Sequence, residues 1–258
     1  MPTHMKHLLI LPALLISAFV SASSAQVVLS NSLVTYTYEQ SAGNAFVPSS
    51  PLVPSSPPDS TLSFFPGGFA AGNSGSAWNI DTFSSVLTVT MDANPGTWFT
   101  NNAFRLSAQV NYSLVAPTLT STAGISASAP FTLYLTEVDG SPFGSPGLQL
   151  TNALVFTPAF VETAGPASFP TGSLSGNVTL TLNTIKTHFG IGATNKITGM
   201  RVQLSPVVSA WSERGSASAS LVNVDIGNQV VPEPSTYALL ALAASGLGIY
   251  ALRRRAKR

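Results

Sequence analysis

Between Phe104 and Leu114 the chain changes character at every residue. Phe104, Leu106, Ala108, Val110, Tyr112 and Leu114 are apolar, while Arg105, Ser107, Gln109, Asn111 and Ser113 between them are polar. A period of two belongs to a strand with one face in a core and the other in water, because successive side chains leave opposite sides of the backbone. Shorter runs of the same kind predict strands at 34–38, 86–91, 131–138, 178–182, 200–204 and 221–226. Asp139 and Gly140 supply a turn signal after one of them, and Pro142 and Pro146 predict a connection longer than a two-residue hairpin. Only 184–189 hints at a helical turn. Evenly spaced strands separated by Gly, Pro, Ser and Asn predict an all-β fold, an antiparallel β-sandwich or jelly roll. VPSSP occurs twice within Val47 to Asp59, and that proline density predicts a stiff extended loop, since proline cannot donate to a central ladder.

The two ends of the chain are written differently. Lys6 and His7 precede the apolar run 8–20, and the small residues SASSA lead to Ala25. A charged start, a short oily middle and a small-residue exit predict a cleavable export signal helix cut after Ala25 and read by the general secretion machinery. At the other end, 16 uncharged residues from Tyr237 to Leu252 would reach about 24 Å as a helix, a short transmembrane span. Arg253, Arg254, Arg255, Lys257 and Arg258 follow it. Such a cluster is retained on the cytoplasmic side and snorkels to the headgroups, so the body lies outside the membrane. The amino-terminal signal demands the same orientation. An amphipathic surface helix does not fit this tail, because 238–247 is apolar or small on every face.

Charge sharpens the picture. Only 8% of the 258 residues are charged, against 45% apolar. Between Gln26 and Val231 five cations, Arg105, Lys186, Lys196, Arg201 and Arg214, face nine acids, so the body is mildly acidic and has no basic stripe for phosphates; nucleic acid is not an expected partner. The chain has no cysteine. An exported domain of this size must hold itself together by burial alone, and thiolate or Cys-zinc chemistry is excluded.

Val231, Pro232, Glu233, Pro234 and Ser235, set directly before a short apolar span and RRRAKR, resemble the PEP-CTERM sorting signal of Gram-negative bacteria. The resemblance covers the last 28 residues. It implies that an exosortase, a membrane-embedded cysteine transpeptidase, recognises Pro232, Glu233 and Pro234 and removes the tail, and it implies an association with exopolysaccharide, biofilm or floc formation. The expected organisation is a signal peptide at 1–25, a sandwich at 26–230 with its Pro-rich loop at 47–59, and a sorting signal at 231–258. Prolines on both sides of Glu233 are expected to keep that segment extended and unpaired.

Candidate chemistry in the body is sparse. His188 is its single histidine, with no GxSxG, HExxH or P-loop around it. Glu137 and Asp139 share a strand end and could pose as paired carboxylates or a calcium site, or simply as solvated turn residues. Trp78, Trp98 and Trp211 are candidate sugar-stacking platforms, with core packing or loop anchoring as the alternative. No catalytic residue, metal site or cofactor is assigned. The expectation is a non-catalytic envelope or matrix protein, with polysaccharide as a candidate partner; the alternative is an extracellular carbohydrate-active hydrolase working through carboxylates.

Overall fold

The computed structural model describes residues 25–40, 46–48, 59–145 and 147–232. The expected signal helix, the transmembrane helix and most of the Pro-rich loop lie outside them. In chain order the described strands are β1 (Ala25–Ser30), β2 (Val34–Gln40), β3 (Phe46–Pro48), β4 (Asp59–Pro66), β5 (Ala70–Gly75), β6 (Asn79–Ser84), β7 (Leu87–Ala93), β8 (Thr97–Phe99) and β9 (Phe104–Val115). There follow β10 (Thr122–Val138), β11 (Ser141–Pro142), β12 (Gln149–Leu154), β13 (Phe156–Thr157), β14 (Phe160–Ala164) and β15 (Thr171–Leu180). The helix α1 (Leu182–Phe189) precedes β16 (Ile197–Leu204), β17 (Val207–Glu213) and β18 (Gly215–Pro232).

Two antiparallel sheets make a sandwich. One runs β1-β2-β7-β16-β10-β17-β6, with β11, β12 and β14 also on β10; the other runs β13-β15-β9-β18-β4-β3, with β5 and β8 also on β18. Each sheet is organised by one long strand. β10 carries β16 at 131–138 and β17 at 122–128 on one side, and β12 then β14 on the other. β18 carries β5, β4, β9 and β8 along its 18 residues.

Burial follows the alternation. On β9 Phe104, Leu106, Ala108, Val110 and Leu114 are buried, and on β16 Ile197, Met200, Val202 and Leu204 are. The two inner faces meet through rings and aliphatic chains: Phe104 packs on Phe131 with centroids 5.5 Å apart, and Tyr38 meets Phe64 edge-on at 5.4 Å. Burying whole side chains of this size stabilises by roughly 1.5–3 kcal/mol each, which is how a chain without disulfides can fold.

Four local readings of the sequence change. The run 178–182 is not one strand: β15 ends at Leu180, Thr181 caps α1, and its side chain accepts from Thr184 N at 3.2 Å. The helical turn is a full helix of eight residues, closed by Gly190 at φ 66°. Val86 stays outside β7 and is exposed. Asp139 and Gly140, at φ 53° and 72°, form a two-residue turn after all, because Val138 pairs with Ser141 and Glu137 with Pro142. Positive φ at both central residues matches the strand twist, and glycine removes the Cβ clash at the second. Pro142 lies within the two-residue β11 and does not lengthen the turn. The Pro-rich segment contributes its first residues to β3, an edge strand of its sheet, where proline is tolerated.

Candidate functional site

The sorting motif begins inside the sheet. β18 does not stop at the end of the body: Val230 pairs with Phe99, Val231 with Trp98 and Pro232 with Thr97. Val230 and Phe99 are fully buried, and Thr97 donates from Oγ1 to Leu33 O at 2.9 Å and Asn94 O at 2.7 Å. Pro232, expected to be extended and unpaired, is extended but paired. Lacking an N–H, it suits the last position of a ladder. Glu233, Pro234 and the basic residues Arg253, Arg254, Arg255, Lys257 and Arg258 lie outside the described residues. Ala25, the expected signal-cleavage residue, opens β1 opposite Gln40.

Beside this exit is a cleft of about 550 Å³ lined by Asn94, Pro95, Thr97, Glu137, Asp139 and Lys196 among others. Lys196 Nζ stands 4.4 Å from the centroid of the Trp98 ring, a cation–π contact that occupies one face of that indole. Asp139 accepts from Asn195 Nδ2 and from Lys196 N at 2.7 Å, and these donors hold its carboxyl below the ordinary value. Those bonds tie the turn to the segment before β16.

Glu137 and Asp139 both line this cleft, with Asp139 held by its donors from Asn195 and Lys196. Glu137 also shares a row with Asp92: both residues are cross-strand neighbours of Gly199, one from each side. A Cβ on Gly199 would stand 2.4 Å from Thr136 Oγ1 and 2.8 Å from Glu137 Cβ, so only glycine fits between them. Burial, and then the nearby Glu137 charge, push the Asp92 carboxyl up. Asp92 escaped the sequence reading because its neighbour is two strands away. The available signal was the glycine in the middle of a strand, which marks a close approach.

The three tryptophans have different settings. Trp98 is half-buried under Lys196. Trp78, just before β6, is 59% exposed. Trp211 sits on the outer face of β17, since its neighbours Ala210 and Ser212 are buried inward. It stands between Ile80 on β6 and Gly124 on β10. An added Cβ at Gly124 would be 2.4 Å from both Cε2 and Cζ2 of Trp211 and 2.7 Å from Nε1, so the indole reaches sideways and lies over that glycine. Glu162 continues the row beyond Gly124, and the next row reads Thr82, Ser209, Ser126 and Phe160. Thr82 and Ser209 hydroxyls are 3.1 Å apart. Ile80 and Phe160 are 56% and 60% exposed.

His188 is exposed on α1, with Nε2 2.9 Å from Gln149 O and its ring against Phe189. Among the described residues no group of three His, Cys, Asp or Glu side chains is placed to hold a metal ion. None of their helices is long and apolar enough to cross a membrane.

Comparison with known proteins identifies the tail. Residues 230–255 match the family model of the PEP-CTERM protein-sorting motif. No curated protein matches the chain. Among solved structures, TmCBM61 in complex with β-1,4-galactotriose is 8% identical over 64% of this chain and 87% of that chain, at a TM-score of 0.14. A loop-swap mutant of Xyn11A from Necallimastix patriciarum is 11% identical over 79% and 95%, at 0.20. The VP2 subviral particle of infectious bursal disease virus is 14% identical over 86% and 59%, at 0.22. TM-scores this low carry no argument about fold or function.

Proposed function

We propose that this chain, which carries a PEP-CTERM sorting motif, is a non-catalytic component of the cell envelope or extracellular matrix. The motif itself marks an exported protein that an exosortase sorts and processes. The finer reading is that the sandwich is the cargo: secreted through the general secretion pathway, tethered by the 237–252 span, and freed or transferred when the motif is cut. Exopolysaccharide or biofilm matrix is the destination that this class of signal implies. The observation that carries the reading is the junction, where the 230–255 match begins on the last residues of β18, leaving no further folded segment between the body and its signal.

A hydrolase is the competing reading, and Asp92 with Glu137 is the observation in its favour: a carboxyl with a raised pKa beside a second carboxylate is the arrangement that acid–base hydrolysis uses. Asp92→Asn and Glu137→Gln test it directly; release of reducing ends from any glycan by the parent chain and its loss in both variants would replace the non-catalytic reading.

Mass spectrometry of both ends of the exported protein, in cells with and without the exosortase, tests the sorting and delivery. The expected mature form lacks residues 1–25 and the 237–252 span, and keeps the latter when the exosortase is missing. An intact 258-residue chain in the cytosol would refute it.

A further inference from the structure

We infer that the outer face built by β6, β17, β10 and β14 is a binding platform for a neutral, β-1,4-linked hexopyranose chain, with Trp211 as its stacking surface. The inference rests on the matrix reading above and names the class of ligand.

The argument begins with a glycine. A tryptophan on a sheet face ordinarily stands up from it, held by the Cβ atoms of its cross-strand neighbours. Opposite Trp211 that neighbour is Gly124, and the indole occupies the space a side chain would fill. One face of the ring is against the β10 backbone. Trp211 keeps part of its surface in solvent, and with Gly124 beneath one face of the ring the opposite face is the one left for a ligand.

The surroundings select the ligand. Ile80 and Phe160 extend the apolar surface on either side, while Thr82, Ser209 and Ser126 carry hydroxyls at the same level. A flat ring among short hydroxyls fits a sugar whose axial C–H groups stack on the ring while its equatorial hydroxyls reach sideways for hydrogen bonds. Four strands at about 4.8 Å spacing give a face some 14 Å across, room for a chain rather than one ring. A β-1,4-linked hexan with equatorial bonds is a ribbon that can lie along it. Charge excludes the anionic alternative. Glu162 and Glu213 are the acids on this face, and Arg214 at its margin is engaged with Thr120 Oγ1 at 2.8 Å. A uronate or phosphate-bearing polymer would meet carboxylates, whereas neutral hydroxyls can donate to them.

The other indoles are set differently: Trp98 has a face covered by Lys196, and Trp78 precedes β6, outside the paired rows of this face.

The test uses the full chain in a non-glycosidic detergent, with phosphoric-acid-swollen cellulose and insoluble β-1,4-mannan as neutral probes and alginate as the anionic one. Retention on at least one neutral probe, with apparent affinity reduced about tenfold or more in Trp211→Ala and largely kept in Trp211→Tyr, is the expected result. Gly124→Ala, which keeps every contact group and lifts the ring, should weaken retention in the same direction. Circular dichroism of each variant separates a lost site from a lost fold, and if Trp211→Ala misfolds, Gly124→Ala carries the decision. Absence of retention on both neutral probes, retention unchanged in the variants, or binding to alginate alone overturns the inference. So does a concentration-dependent dimer that Trp211→Ala abolishes without any glycan retention. A chain that is processed at both ends and fails on both neutral probes removes this site while leaving the sorting reading intact.

Discussion

Tyr36 should make the fold sensitive to alkali in a way that one oxygen atom controls. It is fully buried, and its hydroxyl donates to Ser60 Oγ at 3.0 Å. Burial pushes the phenol from 10.0 up to about 12, against smaller lowering influences from Ser60, Asn228 and Arg105. Unfolded, the same group ionises near its ordinary value of about 10. The folded pKa is the higher one, so the contribution to stability is fully present below pH 10 and is lost as pH rises toward 12. Each unit corresponds to about 1.4 kcal/mol, so roughly 2.7 kcal/mol disappears across the window. Tyr36→Phe removes the titration together with one hydrogen bond worth about 1 kcal/mol, while Ser60 keeps the bond it accepts from Asn31 Nδ2. The variant should therefore be the less stable protein at pH 8 and the more stable one at pH 12, with the curves crossing near pH 11. Urea unfolding of the exported protein at pH steps from 8 to 12 measures this, and all other titrations cancel in the difference. Parallel curves would refute the reasoning.

Other expectations follow from single contacts. Phe104→Ala should lower stability by about 3–5 kcal/mol in urea unfolding, since it empties the centre of the sandwich beside Phe131. Gly215→Ala places a Cβ 2.3 Å from Val115 O, backbone that cannot step aside, and should destabilise by about 1–3 kcal/mol in thermal unfolding. Thr181→Ala removes the cap of α1 and should cost about 1 kcal/mol, with Thr181→Ser recovering most of it. In an NMR titration Glu137→Gln should bring the Asp92 carboxyl part of the way down, not all of it, because burial is the larger cause of its rise.

The legible strands were those whose wet and dry faces carry side chains of plainly different character; β4 and β17 alternate in burial as regularly but were not read, because Ser60 and Ser212 face inward while Phe65 and Trp211 face outward. β9 reads from its own residues because large apolar and polar side chains alternate for its whole length. The second half of β10 reads equally well, whereas its first half, Thr122 to Ser128, is written apart from Ile125 in small residues that hide the period. β6 was missed for the opposite reason: as an edge strand exposed on almost every residue, it has no buried face to leave a signature. At the binding platform Trp211 was visible as a candidate and Gly124 was not. A glycine acquires that meaning only when strand pairing brings the two together. The Asp92 and Glu137 pair was hidden likewise, because only the pairing of β7 and β10 with β16 brings both beside Gly199.

The continuity of β18 with the sorting motif has a mechanical side. On the proposed anchoring of the tail, drag on the exported body would pass through Pro232 into an interior strand flanked by β4 and β9. Pulled lengthwise, the bonds of an antiparallel ladder lie across the direction of force and resist together in shear, instead of opening one after another like a zipper. A fold that hung from an edge strand would peel; one anchored through this tail would hang from its spine.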